Sequence, residues 1–251
     1  MRDQLLTAIR HVGGMAVLTG DTVRFAFRRP FGFDLLMDQL HHLGVRSLSI
    51  TNITALFTGM VLALQTAHTL GIYGAKLLIG DAVSISIVRE LGPVLTSLLV
   101  AGRVGAGITA EIGSMTVTEQ VDAIRALGAS PVKKLVLPKV LATLIMLPLL
   151  TVLADFIGIL GGMLISVKEL GQTADYYTQH VVAALSFDDI LSGVGKTFFF
   201  AAFISIVGCY NGLNATGGAD GVGRATTNTV VVASILILIS NFFLTKMFLL
   251  I

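Results

Sequence analysis

The 251-residue sequence predicts an all-α, polytopic membrane protein. Hydrophobic residues make up 54% of the chain and charged residues 13%, and the mean hydropathy is +0.86. Soluble domains carry about 25% charged residues, so this chain cannot cover a soluble globule with a polar surface. Its apolar residues come in long runs, whereas a membrane β-barrel shows alternating strips of about ten residues.

Composition and motifs exclude several other classes of protein. The 17 Lys and Arg nearly balance the 15 Asp and Glu, which is not typical of a nucleic-acid binder. With Cys209 as the single cysteine, neither a disulfide framework nor a zinc site is expected. The N-terminus, MRDQLLTAIRHVGG, lacks an apolar core before a cleavage site. We therefore expect no signal peptide, and the first membrane helix would act as the targeting signal.

Five apolar stretches are each near the ~20 residues that a bilayer requires. They predict spans at about 48–72, 87–112, 135–166, 190–211 and 229–251. Residues 1–47 are too polar to span, but Phe33–Val45 has apolar residues on one helical face. This pattern predicts an N-terminal amphipathic helix in the membrane interface; packing on cytoplasmic parts of the same protein is the alternative. Without internal repeats, residues 1–251 are predicted to form a single membrane domain.

Positive residues concentrate on one side of the predicted membrane. With the N-terminus inside, the cytoplasmic segments hold eleven of them: Arg2, Arg10, Arg24, Arg28, Arg29, Arg46, Arg125, Lys133, Lys134, Lys139 and Arg224. The outer segments hold five: Lys76, Arg89, Lys168, Lys196 and Lys246. The positive-inside rule therefore predicts a cytoplasmic N-terminus and a C-terminus on the outer, periplasmic side.

Small residues recur every four positions in two predicted spans. The two stripes are Ala101, Gly105, Thr109, Gly113 and Gly158, Gly162, Ser166. In lipid such stripes allow helices to approach closely, so we expect tight packing of the second and third spans. Gly193-Val194-Gly195-Lys196-Thr197 is not a phosphate loop, because Ile190 stands where that motif needs glycine.

The segment between the second and third spans predicts a short amphipathic helix at about 116–128. Thr118 is a candidate N-cap, and Gly128 followed by Pro131 predicts the helix end. At helical spacing Val121, Ile124 and Leu127 lie on one face, and Glu119, Asp122 and Arg125 lie on others. Such a helix would suit docking into a groove of a soluble partner; an ordinary connecting helix is the alternative.

Longer motifs in this region resemble a known family. The run from Glu90 to Ser166 contains ELGPV, AGRVGAG, AEIGSM, TEQVDAIRALG and LP. In combination they resemble the permease subunit of Mla-type ABC phospholipid transporters, the MlaE/YrbE family, over nearly the whole chain. The loop also resembles the glutamate-alanine-alanine-glycine coupling loop of ABC importers, although Asp122-Ala123-Ile124 departs from its acidic-Ala-Ala triplet. We therefore interpret it as a coupling helix of this family.

This resemblance implies a non-catalytic permease with several partners. It implies a homodimer, two cytoplasmic ABC ATPase subunits, an outer-side MCE-domain lipid-binding protein and often a STAS-domain subunit. ATP would be bound by the ATPases, and no cofactor by this chain. The implied activity moves glycerophospholipids between the bacterial inner membrane and a periplasmic carrier, which maintains outer-membrane lipid asymmetry. The residues expected to contact the ATPase are Glu119, Asp122, Ile124, Arg125 and Leu127.

Polar residues near the outer ends of the spans are candidates for lipid binding. The guanidinium of Arg89 would suit a lipid phosphate, and Lys196 has the same interpretation; snorkelling to the interface is the alternative for both. Glu90 follows Arg89 directly. In the family the first, second and fifth spans bound an outward-opening cavity. The resemblance therefore adds wall residues, which are Leu62, Gln65, Leu70, Tyr73 and Leu91.

Two further charges lie within the predicted spans. A carboxylate at the position of Asp155 should be paired or protonated, and Arg103 is a candidate partner; a structural and a coupling role stay open. A different class of protein, an ion-coupled secondary transporter, would use Asp155, Glu90 and Arg103 as a charge relay. A membrane enzyme acting on lipids is disfavoured, because the spans show no His-rich cluster, paired carboxylates or serine triad pattern.

Overall fold

The computed structural model describes residues 2–26, 33–248 and 250, and it confirms the all-α polytopic class. Every regular element in those residues is helical. Five stretches are long and apolar enough to cross a membrane: Phe33–Ile72, Lys76–Val117, Val132–Lys168, Phe187–Leu213 and Gly218–Phe248. Each contains one of the predicted spans, apart from the last residues of the fifth.

The N-terminal region contains two helices, α1 (Arg2–Ala26) and α2 (Phe33–Leu43). Helix α2 confirms that the amphipathic stretch is helical, whereas α1 was not predicted. A 3₁₀ turn at Val45–Ser47 leads into α3 (Leu48–Ile72), which is the first predicted span. The interfacial position of α2 stays a prediction, and Arg28 and Arg29 lie outside the described residues.

The second predicted span is longer than expected and contains two π-helical turns. Helix extends beyond the predicted span of 87–112 at both ends, since it continues to the residue before Thr118 and begins well before Ile87. A π turn inserts an extra residue into the helix and often lies at a functional site. The elements are a 3₁₀ turn (Lys76–Leu78), α4 (Ile79–Ser86), a π turn (Ile87–Leu91), α5 (Gly92–Val100), a second π turn (Ala101–Gly105) and α6 (Ala106–Val117).

The remaining helices are α7 (Gln120–Ala126), α8 (Leu137–Lys168, after a π turn at Val132–Val136), α9 (Ala174–Ala184), α10 (Phe187–Leu213) and α11 (Gly218–Phe248). Helix α9 lies in the predicted outer loop and was not predicted. The fifth span was predicted to reach residue 251, but residues 249 and 251 lie outside the described part of the chain.

Helix α7 is shorter than the helix predicted at about 116–128, and its predicted cap is wrong. Thr118 ends α6 instead, where its hydroxyl donates to the Ser114 carbonyl at 2.8 Å. Glu119 precedes α7 with φ of 60°, and its side chain makes no capping hydrogen bond. The predicted end is confirmed: Gly128 has φ of 74° and donates to the Arg125 carbonyl. The Ala129 N–H donates to the Ile124 carbonyl, which completes a Schellman motif.

The chain forms two compact units. The first comprises Met1–Val45, Val100–Met146 and Phe200–Ile237, and the second comprises Arg46–Leu99, Leu147–Phe199 and Leu238–Ile251. The second unit has an apolar core formed by Ala63, Ala67, Ile79, Val83, Ile87 and Ile165. That residues 1–251 form a single domain stays a prediction.

The small-residue stripes lie at close helix contacts, as predicted. In the first unit, the Thr109 hydroxyl lies 3.1 Å from the Gly208 carbonyl and 2.8 Å from the Thr229 hydroxyl. In the second unit, a Cβ added to Gly59 would come within 1.8 Å of the Gly158 carbonyl oxygen. Since that distance is far below van der Waals contact, glycine at position 59 allows α3 and α8 to approach.

We expect Gly59→Ala to destabilise the protein, because the new methyl group must push α3 away from α8. Overpacking of this kind costs about 1–3 kcal/mol. The matched control is Gly107→Ala, at a helical position with open space around its Cβ; there alanine should be neutral or stabilising by about 0.5–1 kcal/mol. Thermal unfolding of the two purified variants in detergent is the measurement. Equal midpoints would contradict the packing assignment.

Candidate functional site

The candidate site begins at the π turn Ile87–Leu91, which carries Arg89 and Glu90. In the second unit these side chains meet residues of α10 and α11. We call the resulting group the polar cluster; its members are Arg89, Glu90, Asp189, Lys196, Asn241 and Thr245. The charged residues predicted from their position in the spans, Arg89, Glu90 and Lys196, are thus brought together.

Lys196 is the centre of the polar cluster, and its side chain is only 2% exposed. Its ammonium donates to the Arg89 carbonyl at 2.9 Å, to Glu90 Oε1 at 2.7 Å and to Thr245 Oγ1 at 2.7 Å. An ammonium has three N–H donors, so all of them are used inside the protein. A buried charge is tolerated only when it is paired and hydrogen-bonded in this way.

Glu90 connects α11 to the same cluster. Its Oε1 also accepts a hydrogen bond from the Thr245 hydroxyl at 2.8 Å, and its Oε2 accepts one from Asn241 Nδ2 at 2.8 Å. Thr245 and Asn241 lie four residues apart, so they share one face of α11. Through Glu90 and Lys196, the π turn is therefore bonded to both α10 and α11 in the second unit.

Arg89 is held by a second ion pair, in which its Nε donates to Asp189 Oδ1. Asp189 is fixed by the start of α10: its Oδ2 accepts from the Ser186 backbone at 2.9 Å and from the Ser186 hydroxyl at 2.8 Å. The Asp189 N–H returns a bond to Ser186 Oγ at 3.3 Å, which makes a capping box. The Arg89 side chain stays 44% exposed, and its Nη groups have no hydrogen-bond partner in the described residues.

A cavity of about 330 Å³, here called the polar cavity, opens beside the cluster. It is lined by Arg89, Glu90, Asp188, Leu191, Ser192, Lys196, Thr245 and Phe248. Charged and hydroxyl groups converge on it, while Leu191 and Phe248 contribute apolar surface. Such a cavity suits a small polar group attached to an apolar body.

A second, widely open cavity, here called the apolar cavity, has a volume of about 520 Å³ and collects three predicted wall residues, Leu62, Gln65 and Leu91. Its other lining residues are Ile53, Thr54, Phe57, Thr58 and Val61. Leu70 and Tyr73 do not line it. Leu70 packs against the apolar core of the second unit, and Tyr73, directly after α3, is 78% exposed. Their roles as wall residues stay predictions.

Asp155 lies in α8 with 7% exposure, and its carboxylate packs against Gly92. A Cβ at Gly92 would come within 1.6 Å of Asp155 Oδ1, so the glycine makes room for the carboxylate. That oxygen is buried and has no hydrogen-bond partner in the described part of the chain. Arg103, in the π turn of the first unit, is exposed. The function of both charges stays open.

Helix α7 presents a mixed surface in the first unit. Val121 anchors it with 2% exposure, whereas Leu127 is 85% exposed. Arg125 Nη1 donates to Asp122 Oδ1 at 2.9 Å, and both side chains are largely exposed. Of the apolar residues predicted on one face, Val121 is therefore buried and Leu127 exposed. The exposed residues remain available to a partner.

A second buried lysine, Lys139, was not predicted as a site residue. Its side chain is 2% exposed, and its ammonium donates to Glu111 Oε2 at 2.5 Å and to Gln39 Oε1 at 3.1 Å. Gln39 belongs to α2. Lys139 thus ties α2 to α6 and α8 within the first unit.

Two signals in the sequence point to residues that were missed. Ser186-x-x-Asp189 has the spacing of a capping box, which places Asp189 at the start of α10. Asn241 and Thr245 are polar residues four positions apart in an apolar helix, a pattern typical of helix–helix hydrogen bonding in membranes. Their bonding to Glu90, about 150 positions earlier in the chain, has no local signal.

Five apolar helical stretches, ion pairs of buried lysines between helices, and a polar and an apolar cavity define a polytopic membrane permease. The family model for permease MlaE matches residues 36–247. The chain therefore belongs to the MlaE permease family, which confirms the resemblance seen in its motifs.

Curated relatives agree with this assignment. A "probable ABC transporter permease protein" of Rickettsia bellii is 44% identical over 94% of this chain and 92% of its own length. The "intermembrane phospholipid transport system permease protein MlaE" of Haemophilus influenzae is 40% identical over 85% of this chain and 82% of its own. The chloroplastic protein TRIGALACTOSYLDIACYLGLYCEROL 1 of Arabidopsis thaliana is 34% identical over 92% of this chain and 66% of its own.

We expect Lys196→Met to destabilise the protein, because Glu90 loses its ion-pair partner. Breaking a fully buried ion pair from one side costs about 3–5 kcal/mol; since the Glu90 side chain is 37% exposed, the loss here should be smaller, about 1–3 kcal/mol. The double variant Lys196→Met/Glu90→Leu should recover part of this loss. Thermal unfolding in detergent measures both.

The control for this experiment is Arg224→Ala, which removes an exposed pair with Asp220 at 3.7 Å. Exposed pairs contribute about 0–1 kcal/mol, so its unfolding midpoint should stay close to that of the wild type. A Lys196→Met variant as stable as Arg224→Ala would contradict the central role of Lys196.

Proposed function

We propose that this protein is the permease subunit of an ATP-driven ABC transporter that moves glycerophospholipids between the inner membrane and a periplasmic MCE-domain carrier. The observation that carries the proposal is the presence in the second unit of one polar and one apolar cavity, each lined by a residue of the π turn. Glu90 lines the polar cavity, and the next residue, Leu91, lines the apolar cavity. A phospholipid has the same division between a polar headgroup and apolar chains.

The residues that line the apolar cavity favour a lipid acyl chain as its occupant. Seven of its eight lining residues are aliphatic, aromatic or threonine, and Gln65 is the remaining amide. The polar cavity offers the free Nη groups of Arg89 to a phosphate, since a guanidinium binds phosphate oxygens well. Lys196 has no free donor, so a direct bond from Lys196 to lipid would require one of its three internal bonds to break.

Energy would come from a cytoplasmic ATPase that docks on α7. Glu119, Asp122, Arg125 and Leu127 are exposed, and Ile124 is partly exposed. The buried Val121 holds the helix against the first unit. A helix of this kind suits docking into a groove of a partner. We assign ATP binding and hydrolysis to that partner and none to this chain.

The full assembly that we propose is a homodimer of this chain with two ATPases, an MCE-domain protein and a STAS-domain subunit. The N-terminus would be cytoplasmic and the C-terminus periplasmic, as the distribution of Lys and Arg indicates. In this location the transporter would maintain the lipid asymmetry of the outer membrane. The relatives named for ABC and phospholipid transport support this proposal.

Reconstitution tests the proposed function directly. The complex with its ATPase, placed in vesicles, should transfer fluorescent phospholipid to the carrier protein only when ATP is hydrolysed. The chain without ATPase should give no transfer. Lipid or ion movement by the chain alone, driven by a gradient, would overturn the proposal and favour an ion-coupled transporter that uses Asp155, Glu90 and Arg103.

We expect Leu127→Asp to reduce ATPase association, because it places a charge in the proposed docking surface. Leu127 is 85% exposed, so the fold itself should tolerate the change. The paired substitutions Glu119→Lys and Asp122→Lys should have the same effect through charge reversal. Copurification of the ATPase with tagged permease is the measurement.

The control is Val182→Asp, a similarly exposed apolar residue (74%) on α9. It should leave ATPase association unchanged, since α9 lies on the predicted periplasmic side. Full ATPase recovery with both α7 variants would rule out α7 as the docking helix.

A further inference from the structure

The charged groups around the polar cavity are mostly satisfied within the protein. Lys196 uses all three donors, and Glu90 accepts through both oxygens. Asp189 is bonded to Arg89 and Ser186. These groups are therefore unavailable to a ligand without loss of internal bonds.

Two charged groups on the cavity wall keep free bonding capacity. Arg89 uses Nε for Asp189, which leaves its Nη groups unbonded in the described residues. Asp188 is exposed and lines the cavity, and its carboxylate makes no hydrogen bond or ion pair with any residue that the structure describes. The cavity thus offers one cationic and one anionic contact.

The net charge around the polar cavity also favours a headgroup that contains a cation. Arg89 and Lys196 carry two positive charges, while Glu90, Asp188 and Asp189 carry three negative charges, which leaves one net negative charge around the cavity. Because Asp188 is the unpaired group, an anionic headgroup such as glycerol phosphate would meet repulsion there. A headgroup with both a phosphate and a cation would satisfy both free groups.

We propose that the polar cavity selects phospholipids whose headgroup carries a primary ammonium beside the phosphate, as in phosphatidylethanolamine. The phosphate binds the Nη groups of Arg89, and the ammonium binds Asp188. This inference rests on the proposed function, since it names the headgroup that the lipid permease prefers.

A primary ammonium fits the cavity better than a quaternary one. It has three N–H donors, and the wall supplies acceptors in the Asp188 carboxylate and the Ser192 hydroxyl oxygen. Quaternary ammonium groups are typically held by several aromatic faces, whereas Phe248 is the single aromatic residue among the cavity's described lining residues. Asp188 is therefore a specificity-determining residue of the proposed reaction.

The experiment uses the complete complex in vesicles of equal parts phosphatidylethanolamine, phosphatidylcholine and phosphatidylglycerol with identical acyl chains. Mass spectrometry of the lipids transferred to the carrier on ATP hydrolysis gives their ratio. Wild type should enrich phosphatidylethanolamine over both other lipids. Since an exposed charge pair contributes about 0.2–1 kcal/mol, Asp188→Asn should lower the ethanolamine-to-glycerol ratio by about 1.4- to fivefold.

The matched control is Asp175→Asn, an exposed aspartate at the start of α9 that does not line the cavity; its lipid ratio should equal that of wild type. An Asp188→Asn ratio equal to wild type, with the total amount transferred preserved, would overturn the headgroup assignment. Equal transfer of choline and ethanolamine lipids would overturn the preference for a primary ammonium.

If the proposed function itself is wrong, the transfer experiment gives a different result. In that case wild type and both variants would transfer no lipid on ATP hydrolysis, whatever the headgroup. An unfolding midpoint of Asp188→Asn equal to that of wild type shows that the variant is folded, so that a changed ratio reports on recognition.

Discussion

The ion pair between the buried Lys196 and the partly exposed Glu90 is the interaction on which the second unit most depends. A lysine ammonium that is 2% exposed must have partners for all its donors, and here they come from the π turn and from α11. Glu90 in turn needs the amide of Asn241 and the hydroxyl of Thr245. Each group is satisfied only while these helices stay together, so the ion pair fixes the walls of the polar cavity.

Close contact between helix backbones is the other requirement of the fold. Gly59 lies against the Gly158 carbonyl, and Gly193 lies against the Val88 carbonyl, so close that a Cβ at either position would overlap it. In lipid, where apolar side chains gain little by leaving the solvent, association depends on this kind of packing and on interhelical hydrogen bonds. The glycine contact at Val88, one residue before Arg89, also brings α10 close enough for Lys196 to reach the Arg89 carbonyl.

The sequence contains enough information to predict the class, the spans and the main charged site residues, but not their partners. Charge inside an apolar run is a local signal, so Arg89, Glu90 and Lys196 could be identified. Asn241 and Thr245 contact Glu90 although they lie about 150 positions later in the chain, and no local pattern reveals such a contact. The π turns were missed because one extra residue hardly changes a uniformly apolar pattern. Thr118 was misassigned as a cap because helix α6 continues through the small and polar residues before it.

The order in which the helices are synthesised affects how Lys196 can be paired during membrane insertion. Ribosomes make the chain from its N-terminus, so α10 is complete before Asn241 and Thr245 exist. A lysine costs about 2.5–3.5 kcal/mol in the middle of an inserting helix, and Lys196, nearer the start of α10, costs less. During insertion of α10, Glu90 and the Arg89 carbonyl are the partners already made, while Thr245 arrives only with α11. Biogenesis of this membrane protein therefore favours early pairing of α10 with the π turn, and α11 then closes the site.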